Sequence, residues 1–206
     1  MNTIITIARQ YGSGGRDIGL KLSEKLGIPF YDKELITMSA EKSGMSHQAL
    51  SDADEKAANS LLYTLAVGSS MIHSSMPQNV PINDKLFLIQ CEVIHELADK
   101  GPCIIVGRSG DYVLSSYKNC VRTFIYADFE DRVKRISERN GIDESKARER
   151  VMKTDKRRAN YYNYYTGQKW GKTENYDLAV STSKIGVDGA VEMIADYIKV
   201  FENKPE

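Results

Sequence analysis

"ARQYGSGGRD", residues 8–17, stands between the apolar run Ile4-Ile5-Thr6-Ile7 and an amphipathic stretch over residues 18–26. The first run reads as a short strand buried on both faces, the second as a helix. A strand, a glycine-rich turn and a helix form the arrangement that holds phosphate, because the first N–H groups of a helix lack acceptors and its dipole favours an anion.

Two glycine-loop patterns can be laid on this stretch. G-x-G-x-x-G fits Gly12 and Gly14 but needs a third glycine where the chain has Asp17, whose carboxylate would face a pyrophosphate. G-x-x-x-x-G-K-[ST] finds its glycines but not its lysine, and its register is open. With Gly15 as the last loop glycine, Arg16 takes the lysine position and Asp17 the hydroxyl position; with Gly14 in that role, the lysine position holds Gly15. The first register is preferred here, because it keeps a cation at the phosphates with a carboxylate beside it. On that reading Gly12, Ser13, Gly14, Gly15, Arg16 and Asp17 hold phosphate, with Arg16 as the cation and Asp17 reaching a metal ion through water. Arginine presents a charged fork where lysine presents a point charge, so the geometry of binding differs.

The rest of the chain bounds the function class. A length of 206 residues suits one domain with a sizeable core, and 41% hydrophobic with 27% charged residues is ordinary for a globular protein. Basic and acidic residues balance at 28 each, which argues against a nucleic-acid backbone as the main partner. Cys91, Cys103 and Cys120 show no C-x-x-C spacing and are expected to be small apolar residues in a reducing compartment. Met1 leads straight into a strand and no run reaches the roughly 18–20 apolar residues of a membrane helix, so a cytoplasmic protein with no membrane partner is expected. His47, His73 and His95 are scattered without metal-ligand spacing.

Further β-branched runs fall at 103–106, 121–126 and 178–181, and helical patterns at 33–43, 86–100, 130–140, 144–165 and 187–201. Ser46 opens a short helical segment with Ala49 and Leu50, and Asp143 with Glu144 opens the long one. Short strands alternating with helices predict an α/β fold with a parallel sheet covered on both faces. Residues 67–84, "VGSSMIHSSMPQNVPIND", have no sustained period and read as a long loop.

Four stretches then act together: "GIPFYDKELI" (27–36), "IIVGRSGDYVL" (104–114), "FEDRVKRISERNGI" (129–142), and "KTDKRRANYYNYYTGQKWG" (153–171) followed by "NYDLAVSTS" (175–183). In this order the chain resembles the cytidylate kinase-like proteins of the nucleoside monophosphate kinase group, over nearly its whole length. The resemblance implies a P-loop NTPase-type parallel sheet flanked by helices, with a core of 1–30, 101–142 and 175–203, an acceptor-binding insertion over about 31–100 and a helical lid over about 143–172. It implies ATP as phosphoryl donor, Mg²⁺, and small-molecule nucleotides as partners, CMP being the acceptor. Carried over by position, Tyr31 and Asp32 lie at the second strand's end near the acceptor, Arg108 binds the acceptor, and Asp177 contacts its base or sugar. A homo-oligomer is compatible with this reading. The loop lysine and the hydroxyl after it, which the family's authentic cytidylate kinases keep, are absent. A non-catalytic nucleotide-binding or sensor protein, and a kinase of another small acceptor, are therefore carried as alternatives.

Phosphoryl transfer needs cations around the moving oxygens and in-line positioning more than covalent chemistry. Arg150, Lys153 and Arg157 share one helical face and are the expected source, with Lys153 and Arg157 as catalytic partners of Arg16; Arg158 lies beside them and Asp155 is expected to point away. "YYNYY" (161–165) is expected to pack the lid on the core or at a dimer contact, Trp170 to anchor its end, and Arg132, Arg135 and Arg139 to lie mostly at the surface.

Overall fold

Strand β1 (Ile4–Arg9) is the middle of a five-stranded, wholly parallel sheet of order β2-β3-β1-β4-β5 in the computed structural model, which describes residues 2–43 and 82–203. Its neighbours are β3 (Ile104–Val106) and β4 (Cys120–Tyr126); β2 (Phe30–Tyr31) and β5 (Leu178–Ser181) form the edges. Ile5 aligns with Ile104 on one side and Val121 on the other. A strand so placed meets protein on both faces, which is why its sequence does not alternate.

Helices α1 (Gly15–Leu26), α2 (Glu34–Ser43) and α3 (Ile82–Lys100) precede β3; a single turn, α4 (Gly110–Val113), follows it. After β4 come α5 (Phe129–Asn140) and α6 (Glu144–Thr166), then a 3₁₀ turn at Thr173–Asn175 before β5. Helix α7 (Thr182–Glu202) closes the described chain and bends at Gly186, whose φ of 69° is not helical.

The alternation of side chains along β1 builds two cores. Ile5 and Ile7 pack with Ile18 and Leu22 of α1 and Ile194 and Ile198 of α7, whereas Ile4 packs with Leu35 of α2 and Ile94 and Leu97 of α3. Each such buried aliphatic side chain contributes about 1.5–3 kcal/mol. The expected parallel sheet and its strands are thus present, and the 144–165 helical pattern is α6, capped by Asp143 accepting from the Lys146 N–H at 2.9 Å. Of the expected loop at 67–84, residues 82–84 are the first turn of α3 and the remainder lies outside the described residues, as does the segment begun by Ser46. Cys103 and Cys120 are buried as expected, while Cys91 is half-buried. Among the described residues no helix is long and apolar enough to cross a membrane.

Candidate active site

The glycine loop follows the carboxyl end of β1, the crevice side of a parallel sheet. Gly14 is the N-cap of α1 at φ 86°, a left-handed conformation that glycine adopts without penalty, and Gly15 is the first helical residue. The first bond of the helix runs from the Ile18 N–H to the Gly14 carbonyl at 3.0 Å, so the N–H groups of Gly15, Arg16 and Asp17 have no acceptor within α1. The carbonyls before them are tied back into the protein. Thr182 Oγ1 donates to the Ser13 carbonyl (2.8 Å), Arg132 Nη1 to that of Tyr11 (3.2 Å), and Arg135 Nη1 to that of Gly12. Asp155 accepts from the Tyr11 N–H at 2.7 Å and pairs with Arg132. Holding the carbonyls inward and leaving helix-start amides unpaired makes the loop favourable to an anion.

A cavity of about 170 Å³ adjoins this loop at the carboxyl ends of β1 and β3, with Arg9, Arg108, Arg157 and Arg158 in its wall. Gly107, Arg108 and Ser109 are consecutive left-handed residues, at φ 78°, 56° and 53°. Two of them carry side chains, at a cost of order 1–3 kcal/mol each, and such strain gathers where a chain must present groups to a ligand. The Ser109 hydroxyl is buried on this wall without a hydrogen-bond partner among the described residues. Arg158 donates to the Arg9 carbonyl at 2.9 Å and sets its guanidinium 5.5 Å from the centre of the Tyr11 ring. Burial, then Arg158 and Arg108, pushes Arg9 down to about 9 against the pull of Asp32, and burial likewise lowers Arg158. Crowded guanidinium groups of this kind are relieved by a multiply charged anion.

Asp111 is the buried carboxyl of the cavity wall, 3% exposed. Desolvation pushes it up to about 6, opposed by the Tyr162 hydroxyl, which donates to it at 2.7 Å. Tyrosines of α6 fasten that helix to α3: Tyr161 donates to Gln90 Oε1 (3.1 Å), Tyr165 to Asp84 (3.0 Å), and Tyr165 stacks on Phe87 with ring centres 4.2 Å apart. Trp170 meets Phe124 edge to face at 5.6 Å. Tyr162 and Trp170 thus pack on the expected core, whereas Tyr161 and Tyr165 pack on α3, within the stretch expected to be the acceptor-binding insertion.

Of the residues expected to form the site, the structure brings Arg108 and Arg157 together in the cavity wall, and separates others. Arg16 does not line the cavity: its Nε donates to Asp32 Oδ2 at 3.0 Å and its guanidinium stands 5.9 Å from the centre of the Phe30 ring. The helix start at Gly15 favours the register not preferred from sequence, with Gly15 at the lysine position. Asp32, expected near the acceptor, is buried between Arg16 and Arg9, with Arg9 Nη2 at 3.3 Å. Tyr31 beside it packs partly buried in the α2–α3 core. Ser13 Oγ donates to the Gln10 carbonyl at 2.9 Å and is fully buried, so only its backbone faces the loop. Lys153 is exposed and pairs with Glu149, away from the cavity wall that holds Arg157. Asp177 sits before β5, at the amino end of the strands, where it pairs with Arg122 through bonds of 3.0 and 2.7 Å; the acceptor role fails on position. Asp155 points to the glycine loop, a partner the sequence did not suggest, and Arg132, expected mostly at the surface, is buried, its Nε donating to the Ala127 carbonyl at 3.1 Å.

Sequence reasoning missed Arg9 and Asp111, although both lie in quoted stretches. The available signal was position: each sits at or just past the carboxyl end of a strand beside β1 or in it.

Among the described residues, no three His, Cys, Asp or Glu side chains converge as a metal site. The hydroxyl of Ser13 is committed inward and no group of three such side chains includes Asp17, so the residues present do not fit a protein-held Mg²⁺. The metal role expected for Asp17 therefore has no support in the structure.

Residues 4–184 match the cytidylate kinase-like family. A cytidylate kinase of Ignicoccus hospitalis is 25% identical over 193 residues, covering 93% of this chain and 96% of that protein. The crystal structure of an uncharacterized protein from Eubacterium ventriosum superposes with a TM-score of 0.71 at 31% identity, covering 96% of this chain and 98% of the other. A shikimate kinase from Bacteroides thetaiotaomicron superposes with a TM-score of 0.53 at 12% identity over 97% of this chain and 99% of the other, a likeness of fold alone.

Proposed function

The chain belongs to the cytidylate kinase-like family and has the P-loop kinase fold, and from that premise we propose that it transfers the γ-phosphoryl group of ATP to a nucleoside monophosphate, CMP being the acceptor assigned. The observation that carries the reading is the arginine-walled cavity, whose wall includes Arg9, packed against Gly15 at the start of α1. The donor phosphates lie on the N–H groups of Gly15, Arg16 and Asp17, and the acceptor phosphate lies toward Arg108 and Arg157. A phosphate acceptor is already ionised near neutral pH, so the protein need only orient it and balance charge. Arg108 suits that task, because its fork can hold two phosphate oxygens at once.

Asp111 favours a second reading, an alcohol acceptor. A buried carboxyl raised to about 6 on the cavity wall has the protonation behaviour of a general base, which a hydroxyl nucleophile needs and a phosphate does not. ADP release from MgATP with each common nucleoside monophosphate and with small polyols and hydroxy acids separates the readings. Turnover with CMP supports the first, turnover only with an alcohol supports the second, and ATP binding without any turnover supports a nucleotide-binding protein that has lost catalysis.

A further inference from the structure

Arg9 and Gly15 compete for the same space. A Cβ built on Gly15 would stand 2.6 Å from Arg9 Cβ and 2.9 Å from Arg9 Cγ, and one built on Gly107 would collide with Arg9 Nη1. The near atoms at Gly15 belong to the root of the arginine side chain, which cannot swing aside as a tip can. The side chain of Arg9 therefore runs across one bare residue and ends against another, and its guanidinium reaches the cavity wall. Its side chain is 19% exposed, with Asp32 as its carboxylate partner.

Positions 9 and 15 have a further relation in the sequence. In G-x-x-x-x-G-K the lysine follows the second glycine directly, and the first glycine precedes that one by five positions. With Gly14 as the second glycine, position 15 is the lysine's and position 9 is the first glycine's. The chain carries a cation where the pattern has glycine and glycine where the pattern has the cation. Either arrangement places one positive side chain over the start of α1, and the geometry excludes both at once.

We infer that the phosphate-loop cation of this protein is Arg9, moved from the end of the loop to its beginning, and that Gly15 and Gly107 are bare because Arg9 lies across them. Its ligand is the polyphosphate of a nucleoside triphosphate, held together with the amides of α1. The inference rests on the nucleotide-binding part of the proposed function and not on the acceptor. Arg16, by contrast, is turned to Asp32 and Phe30 and is not this cation.

The test is the exchange of the two positions, read as MgATP affinity by calorimetry on the whole protein, with thermal melting as the check of folding. Arg9→Gly should weaken MgATP by about tenfold or more. Gly15→Lys alone should lower the melting temperature and weaken MgATP, because the lysine meets the arginine. The double variant Arg9→Gly/Gly15→Lys restores G-x-x-x-x-G-K and should recover MgATP affinity to within about threefold of the starting protein. A cation returned at position 15 does not rebuild the Arg9–Asp32 pair, so recovery separates phosphate binding from a structural ion pair. Folded Arg9→Gly protein that binds MgATP as before overturns the inference, as does a folded double variant that binds no better than Arg9→Gly. Should the double variant not fold, Arg9→Gln in folded form decides: retained affinity overturns the inference and loss upholds it. A starting protein that binds MgATP but phosphorylates no acceptor defeats the kinase reading and leaves this inference standing; one that binds no nucleotide defeats both.

Discussion

The Tyr162 hydroxyl donates to Asp111 across 2.7 Å, fastening α6 to the turn that follows β3. Burial holds the Asp111 carboxyl near 6, above the 3.8 of an exposed aspartate. The native state thus keeps this proton where the unfolded chain has released it, so the group's contribution to stability is full below about pH 4 and is lost as pH rises toward 6. About two pK units correspond to at most roughly 3 kcal/mol. Asp111→Asn, which can still accept from Tyr162, should raise the melting temperature relative to the starting protein at pH 7.5 and lose that advantage at pH 4. An equal difference at both values would show that burial of the charge is not the cause.

Arg132 is the rear clamp of the glycine loop, holding Asp155 and the carbonyls of Tyr11 and Ala127. Arg132→Ala leaves Asp155 beside the loop with its main counter-charge gone and should destabilise by about 3 kcal/mol. Arg139→Ala, on the exposed end of the same helix, should change stability by less than about 0.5 kcal/mol. Urea denaturation of the pair reads the contrast directly.

Arg157 lines the cavity and Lys153 does not, although one helical turn separates them. Arg157→Ala should lower kcat about tenfold or more, since it removes a cation from the transferring phosphoryl group. Lys153→Ala should leave kcat and both KM values within about twofold. A large loss from Lys153→Ala would mean that α6 rotates its charged face toward the substrates.

Asp177→Ala should leave the KM of either substrate unchanged, because the carboxylate and its partner Arg122 lie at the amino end of the strands. The pair is 28–29% exposed and should contribute about 1 kcal/mol to stability. A raised acceptor KM in this variant would return Asp177 to the site.

The sheet was legible because parallel strands between two helical layers show unbroken β-branched runs, and the helices because their apolar period is long. The site was legible in its stretches more than in its atoms. Asp32 has partners 23 and 16 residues away, and neither spacing carries a local signal. The charged face of α6 could be drawn from its period, but period does not say which side meets the loop: Asp155 reaches the loop and Lys153 pairs with Glu149 in solvent. Arg9 was hidden by the motif itself, which fixes attention on the residue after the last glycine. Asp111 acquires its character from burial, against the opposing bond of Tyr162, 51 residues on, and no sequence window contains either.

Transfer of label from MgATP to CMP reads the proposed reaction itself. The protein is incubated with MgATP carrying a labelled γ-phosphoryl group and with CMP, and the labelled products are separated. Label is expected in CDP, with ADP formed in equal amount, and that label is expected to be lost in Arg157→Ala. Label found only in inorganic phosphate, or retained in ATP with CMP and every other nucleoside monophosphate, would contradict the proposed reaction.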